Sequence, residues 1–181
     1  MAEQNSTIST DKKCILSLEK RVMALVVVLL LLPAVSHALT DEQKALVGLK
    51  GVHVLVENLK PEIERLGLIR DQIQTDVEMR LRKAGARVLT EKESQGTPGM
   101  PYLYVNVNAV TKPGSTFCAY SIKVQLKKKV AIESGFKIPG VVWHTTGYAG
   151  TCKITNITQI RNLVGDQVDQ FINDYLAANP K

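Results

Sequence analysis

The segment from Phe117 to Ile132 constrains this chain more than any other. Tyr120, Ile122, Val124, Leu126 and Val130 share one parity, and Ser121, Lys123, Gln125, Lys127 and Lys129 fill the other. Alternation held that long is a strand signature, because a helix turns every 3.6 residues and would scatter these residues around its surface. One long strand with an apolar side and a lysine-rich side is therefore expected, and the rest of the chain must pack on its apolar side. Tyr102 to Val110 repeats the pattern, with Leu103, Val105, Val107 and Ala109 opposed to Tyr102, Tyr104, Asn106 and Asn108. Val52, Val54 and Val56 mark another strand, and Ala86 to Thr90 a short one. Glu133 to Gly140, with Ser134-Gly135 and Pro139-Gly140, reverses the chain, and Val141 to Cys152 is expected to return as a single strand.

Two segments carry helical spacing instead. Ile69, Ile73, Val77, Leu81 and Ala84 predict a helix over Leu68–Ala84. Gly85 follows as a C-cap, and Arg80, Arg82 and Lys83 suit the negative end of its dipole. Ile157, Ile160, Val164, Val168, Phe171 and Tyr175 form the stripe of a C-terminal helix, started by Asn156 or Thr158 and stopped at Asn179-Pro180. Thr40-Asp41-Glu42-Gln43 has the form of a capping box and predicts a short helix to about Val47. Lys60-Pro61 reads as a turn, and Glu91–Pro101, with Gly96, Pro98, Gly99 and Pro101, as a loop. The expectation is one α+β domain, a mainly antiparallel sheet with two main helices packed on one face and the opposite face open.

Ahead of this domain, Lys20 and Arg21 precede the apolar run Val22–Leu32, and Ser36 and Ala38 supply small residues at the −3 and −1 positions. That is the pattern of a secretory signal, here residues 1–38 with an extended n-region, leaving residues 39–181 as the exported domain. The apolar run is short for a span, which needs about 20 residues, so no stable membrane span is expected after processing. Cys14 precedes the apolar core and so does not fit a lipid-modified cysteine. The chain is formally +6. The removed part holds four basic and three acidic residues, a net +1, leaving +5. A moderate positive charge of this kind is no nucleic-acid signature, and an exported protein meets little nucleic acid.

Processing leaves Cys118 and Cys152, placed symmetrically about Gly135. Residues so placed about a hairpin turn face each other at roughly 4.5–5.5 Å between Cα atoms, a separation a disulfide tolerates in an oxidising compartment. A structural bridge is expected. A Cys₂His₂ metal site with His53 and His144 lacks the usual short paired spacing. A Cys152–His144 thiol pair lacks the electropositive loop or helix start that activates a catalytic cysteine. No phosphate-binding glycine loop and no nucleophile elbow is present, and no cofactor is implied.

The open sheet face remains. Tyr102, Tyr104 and Asn106 share a side of one strand, and Lys123, Lys127 and Lys129 a side of the next. With the register centred on Gly135, Trp143 is expected opposite Lys127 on that side. Aromatics, amides and lysines together can stack on and hydrogen-bond a sugar or peptide, or hold a polyanion. The same residues also satisfy strand propensity on a solvated face.

Two segments, Tyr102-Leu-Tyr-Val-Asn-Val-Asn108 and Phe171-Ile-Asn-Asp-Tyr-Leu-Ala-Ala-Asn-Pro180, resemble those of small uncharacterised exported bacterial proteins, which carry no assigned activity. The element order is similar to the amino-terminal domain of the Tol translocation propeller protein, a likeness that implies a docking module. The expected function is a non-enzymatic periplasmic or secreted module that binds an envelope protein or glycan. The alternatives are a binder of anionic glycan or lipid headgroups through the lysines, and a hydrolase or thiol enzyme with its site in Glu91–Pro101.

Overall fold

A computed structural model describes residues 38–180. The export signal expected over residues 1–38 therefore lies, but for Ala38, outside the described residues. Residues from Leu39 onward form one compact unit whose buried core runs from Leu46 to Ala178. Among the described residues no helix is long and apolar enough to cross a membrane.

The elements in chain order are α1 (Asp41–Lys44), β1 (Val52–Val56), α2 (Pro61–Arg65), α3 (Arg70–Lys83), β2 (Val88–Leu89) and α4 (Glu91–Gln95). They continue as β3 (Tyr102–Thr111), β4 (Phe117–Ala131), β5 (Lys137–His144), β6 (Tyr148–Lys153), a 3₁₀ segment (Ile154–Gln159) and α5 (Ile160–Ala178). The strands form one sheet in the order β2-β1-β3-β4-β5, with β6 also paired to β4. β3, β4, β5 and β6 pair antiparallel, whereas β1 runs parallel to both β2 and β3. This is an α+β domain with its long helices on one face of a mixed sheet.

β4 behaves as its alternation requires. Cys118, Tyr120, Ile122, Val124 and Leu126 are buried beneath the helices together with Leu103, Val105, Val107 and Ala109 of β3. The α3 stripe Ile73, Val77 and Leu81 meets the α5 stripe Ile160, Val164, Val168 and Phe171 in the same core. Gly165 of α5 sits against Arg80 of α3; a β-carbon there would meet the guanidinium at 2.5 Å. Arg80 then pairs with Asp169 at 2.6 Å and Arg161 with Asp76 at 2.7 Å, joining the two helices across their exposed seam. Asn179 closes the far end, its side-chain amide donating to the carbonyls of Leu46 and Tyr175.

Five expectations about the elements change. The C-terminal helix is entered from the 3₁₀ segment at Gln159, with neither Asn156 nor Thr158 as its cap. The Lys60-Pro61 turn is the start of α2, where proline at the first helical position loses no hydrogen bond. Glu91–Pro101 is not all loop: Thr90 and Glu93 form a reciprocal capping box that starts α4. The single strand expected over Val141–Cys152 is two collinear strands, β5 and β6, parted at Thr145–Gly147 and both lying on the same edge of β4. Gly147 takes a φ of 81°, which a side chain would resist, and the chain bends there. Finally, α1 ends at Lys44 rather than near Val47, although its Thr40–Gln43 capping box forms as expected.

Candidate functional site

The face of the sheet away from α3 and α5 is built by alternation alone. It holds His53 and Leu55 of β1, Tyr102, Tyr104, Asn106 and Asn108 of β3, and Lys123, Gln125, Lys127 and Lys129 of β4. The β3–β4 register sets Tyr102 beside Lys127, Tyr104 beside Gln125 and Asn106 beside Lys123. Parallel pairing sets His53 beside Tyr102 and Leu55 beside Tyr104.

Its centre is a three-residue cluster. The Lys127 ammonium lies 3.6 Å from the centroid of the Tyr104 ring. The Tyr104 hydroxyl donates to the Glu57 carboxylate, just beyond the end of β1. Cation and carboxylate thus hold one aromatic ring from its face and its tip, which fixes its orientation.

Two depressions flank this cluster. One, of about 250 Å³, lies under α4 and is lined by His53, Leu55, Ser94, Met100, Tyr102 and Pro139 among others. Its wall is mainly apolar, and the α4 segment is tied to the sheet by the Ser94 hydroxyl donating to the Pro101 carbonyl at 2.9 Å. The His53 ring reaches the Leu89 carbonyl at 3.3 Å through Nδ1. Met100 carries a φ of 46°, an unusual left-handed conformation for a residue with a β-carbon, directly after the left-handed Gly99. The second depression, of about 300 Å³, lies between Tyr104, Asn106 and Asn108 and the Glu57–Lys60 segment. A larger groove of about 860 Å³ follows the α3–α5 seam on the other side, but Arg80, Asp169, Arg161 and Asp76 there are already paired with one another.

Trp143 does not join this face. The β4–β5 register slips by one between Leu126 and Lys127, so Trp143 pairs with Leu126 and Val141 with Lys127. The extra residue, Val142, reverses the facing of everything after it. Trp143 is consequently 2 % exposed in the core, where its ring meets Phe171 edge-on at 5.1 Å and its Nε1 donates to Asp174 at 2.8 Å. His144 occupies the outward position beside Gln125 instead. Tyr102, Tyr104, Asn106, Lys123, Lys127 and Lys129 do share the outward side. Lys128 faces the helices, and its Nζ donates to the Ala45 carbonyl at 2.7 Å. Burial holds that ammonium below the usual lysine range.

Cys118 lies directly opposite Cys152 in the β4–β6 ladder. The structure records them as free, buried thiols rather than as the expected disulfide. Burial pushes both above the ordinary cysteine range, which makes them poor nucleophiles. Both point into the core, whereas His53 and His144 lie on the outward side. The sheet itself therefore separates the cysteines from the histidines, against either a shared metal or a thiol–imidazole pair. Glu57 and Leu55 were not singled out from sequence, whereas the pocket under α4 falls at the Glu91–Pro101 segment named there as the site of the alternative enzyme reading. The Thr90-x-x-Glu93 spacing was the available signal for α4, and the β1 alternation for Leu55.

No protein-family profile matches the chain, and no curated protein is significantly similar to it in sequence. Among solved structures, a minor lipoprotein from Acinetobacter baumannii is similar over 72 % of this chain and 94 % of that one, at 15 % identity and a TM-score of 0.34. A likeness that shallow transfers no function.

Proposed function

We propose that this chain is a non-enzymatic binding module of the cell envelope, and that its working surface is the outward sheet face around Tyr104. The observation that carries this reading is the Glu57–Tyr104–Lys127 cluster set between two depressions on a sheet face that, among the described residues, no long helix covers. A solvated sheet has no need to orient an aromatic ring from two sides. A surface that presents the ring edge, flanking amides and a lysine row to an extended peptide or glycan does. Lys123, Lys127 and Lys129 add a positive stripe suited to anionic groups.

Export of the chain, with cleavage near Ala38, belongs to the same proposal. So does closure of Cys118 and Cys152 into a disulfide after export, the two thiols giving up two protons and two electrons to a disulfide oxidant of that compartment. Their direct opposition across the ladder supports it.

The test is retention of envelope-extract components on immobilised protein, comparing wild type with Tyr104→Ala/Lys127→Ala at low and raised ionic strength. A species held by wild type and released by the variant is the expected outcome. Equal recovery of every species would overturn this face. Loss on raising salt would assign the attraction to the lysines, and persistence would assign it to the ring and amides.

A further inference from the structure

Three of the large apolar side chains this domain leaves exposed, Ile132, Phe136 and Ile138, share one side of the β4–β5 hairpin, and a fourth, Val141, lies on the other beside Lys127. Phe136, at 72 %, is the most exposed of the eleven such side chains among the described residues. The hairpin is well formed rather than frayed. Ile132 donates to the Phe136 carbonyl at 2.9 Å, Gly135 donates to the Ile132 carbonyl at 2.8 Å, and Gly135 takes the left-handed φ of 80° that this turn needs.

Its two faces differ in chemistry. Register places Val130 beside Ile138, continuing the helix-side row of β4 past the point where α5 covers it. Ile132 and Phe136 close that row at the turn. Gly140 lets it lie flat, since a β-carbon there would meet Val130 at 2.8 Å. Lys127, Lys129 and Lys137 take the opposite side, and Lys128 stands at the base. Against these four lysines the hairpin carries one acidic residue, Glu133.

We propose that the end of this hairpin seats on a lipid bilayer bearing anionic headgroups, with Val130, Ile132, Phe136 and Ile138 entering the interfacial layer and Lys129 and Lys137 holding the headgroups. An apolar face backed by a lysine face is the arrangement by which amphipathic elements lie in a membrane interface, buried about 5–10 Å. Lysine stems are long enough to reach back toward the headgroups from the opposite side.

An added strand fits less well. Because Ile132 and Phe136 are hydrogen-bonded partners, alternation makes Lys129 and Pro139 a non-hydrogen-bonded pair. The position of Pro139 is then one whose N–H would point to the free edge of β5, and proline supplies none. The edge is thereby interrupted as a template for an added strand.

The apolar part of this surface lies on the other side of the hairpin from Tyr104 while Lys129 belongs to both faces, so Phe136→Ser/Ile138→Ser and Tyr104→Ala are the variants that separate the two proposals. The experiment is co-sedimentation of the Leu39–Lys181 unit with phosphatidylcholine vesicles, with or without about 30 mol % phosphatidylglycerol. Wild type, Phe136→Ser/Ile138→Ser, Lys129→Gln/Lys137→Gln and Tyr104→Ala are compared, with melting curves to verify folding. Binding to the anionic vesicles is expected, weakened at least about tenfold by the serine pair and several-fold by the glutamine pair, and unchanged by Tyr104→Ala. No binding by wild type, equal binding to neutral vesicles, or equal binding by the serine pair would each overturn the proposal. So would a concentration-dependent dimer in sedimentation equilibrium that Phe136→Ser dissolves, since the occupant would then be a second copy.

Discussion

The two halves of β4 carry the same alternation and meet opposite fates. From Cys118 to Leu126 every even-numbered residue is buried, because β3 and β6 flank it and α5 covers it. From Lys128 to Ile132 the even-numbered residues face the same way, yet the strand has run past the helix layer and they are half-buried or exposed. Facing is a property of the strand, whereas burial is a property of what lies above it. An apolar row that continues beyond its cover has to be explained by something outside the core, and the hairpin proposal starts there.

Substitution on either side of that boundary should separate the halves by energy. Trp143→Ala, beside Leu126, removes a ring packed on Phe171 and leaves the Asp174 carboxylate without its indole partner. A loss of about 3–5 kcal/mol is expected in denaturant unfolding. Phe136→Ser, past the boundary, should cost less than about 0.5 kcal/mol in the same measurement. Comparable losses would mean that the hairpin end is packed against the body of the domain and that the division of β4 is wrong.

The covered half also contains Cys118 and Cys152. If they close, the cross-link should contribute about 3–4 kcal/mol, and reduction should lower the unfolding midpoint correspondingly. Thiol titration of the unfolded, unreduced Leu39–Lys181 unit, produced through an oxidising compartment, is expected to find no free thiol. Two titrating thiols would leave a buried dithiol and remove the cross-link from the account.

A smaller effect belongs to the uncovered face. Glu93 is held down to about 2 by the Thr90 backbone amide, the Arg87 guanidinium and the Thr90 hydroxyl. Its folded value thus lies below its ordinary 4.5, so the cap supports α4 above that pH and is lost as pH falls through the folded value. Amide exchange at Ser94 and Gln95 should quicken as pH drops from about 4.5 toward 2, after correction for intrinsic rates. Arg87→Gln should move this transition upward; an unmoved transition would leave Arg87 without a role at the cap.

Much of this arrangement was legible in the sequence, and the failures are local. β3 and β4 could be read because ten or more alternating residues admit one parity only. β5 could not, since Val141-Val142-Trp143 is apolar throughout and either parity fits. The choice is made by Asp174 and Phe171, some thirty residues away, which draw the indole inward. Alternation shows which residues face inward and says nothing of which strands are neighbours, so the parallel pairing of β1 between β2 and β3 was invisible. Glu57 joined the site only through that pairing. α4 was hidden by the glycines and prolines that follow it, although its capping box stood in the sequence.

The central claim, that the outward face is the working surface, can be tested on adjacent residues of one strand. Lys127 and Lys129 point outward, while Lys128 between them points inward and bonds the Ala45 carbonyl. Acetylation footprinting of the three lysines, free and with the species retained in the envelope-extract comparison, reads the two faces at once. The account predicts that bound partner protects Lys127 and Lys129 and leaves Lys128 unchanged. Equal labelling of Lys127 and Lys129 with and without partner would contradict it.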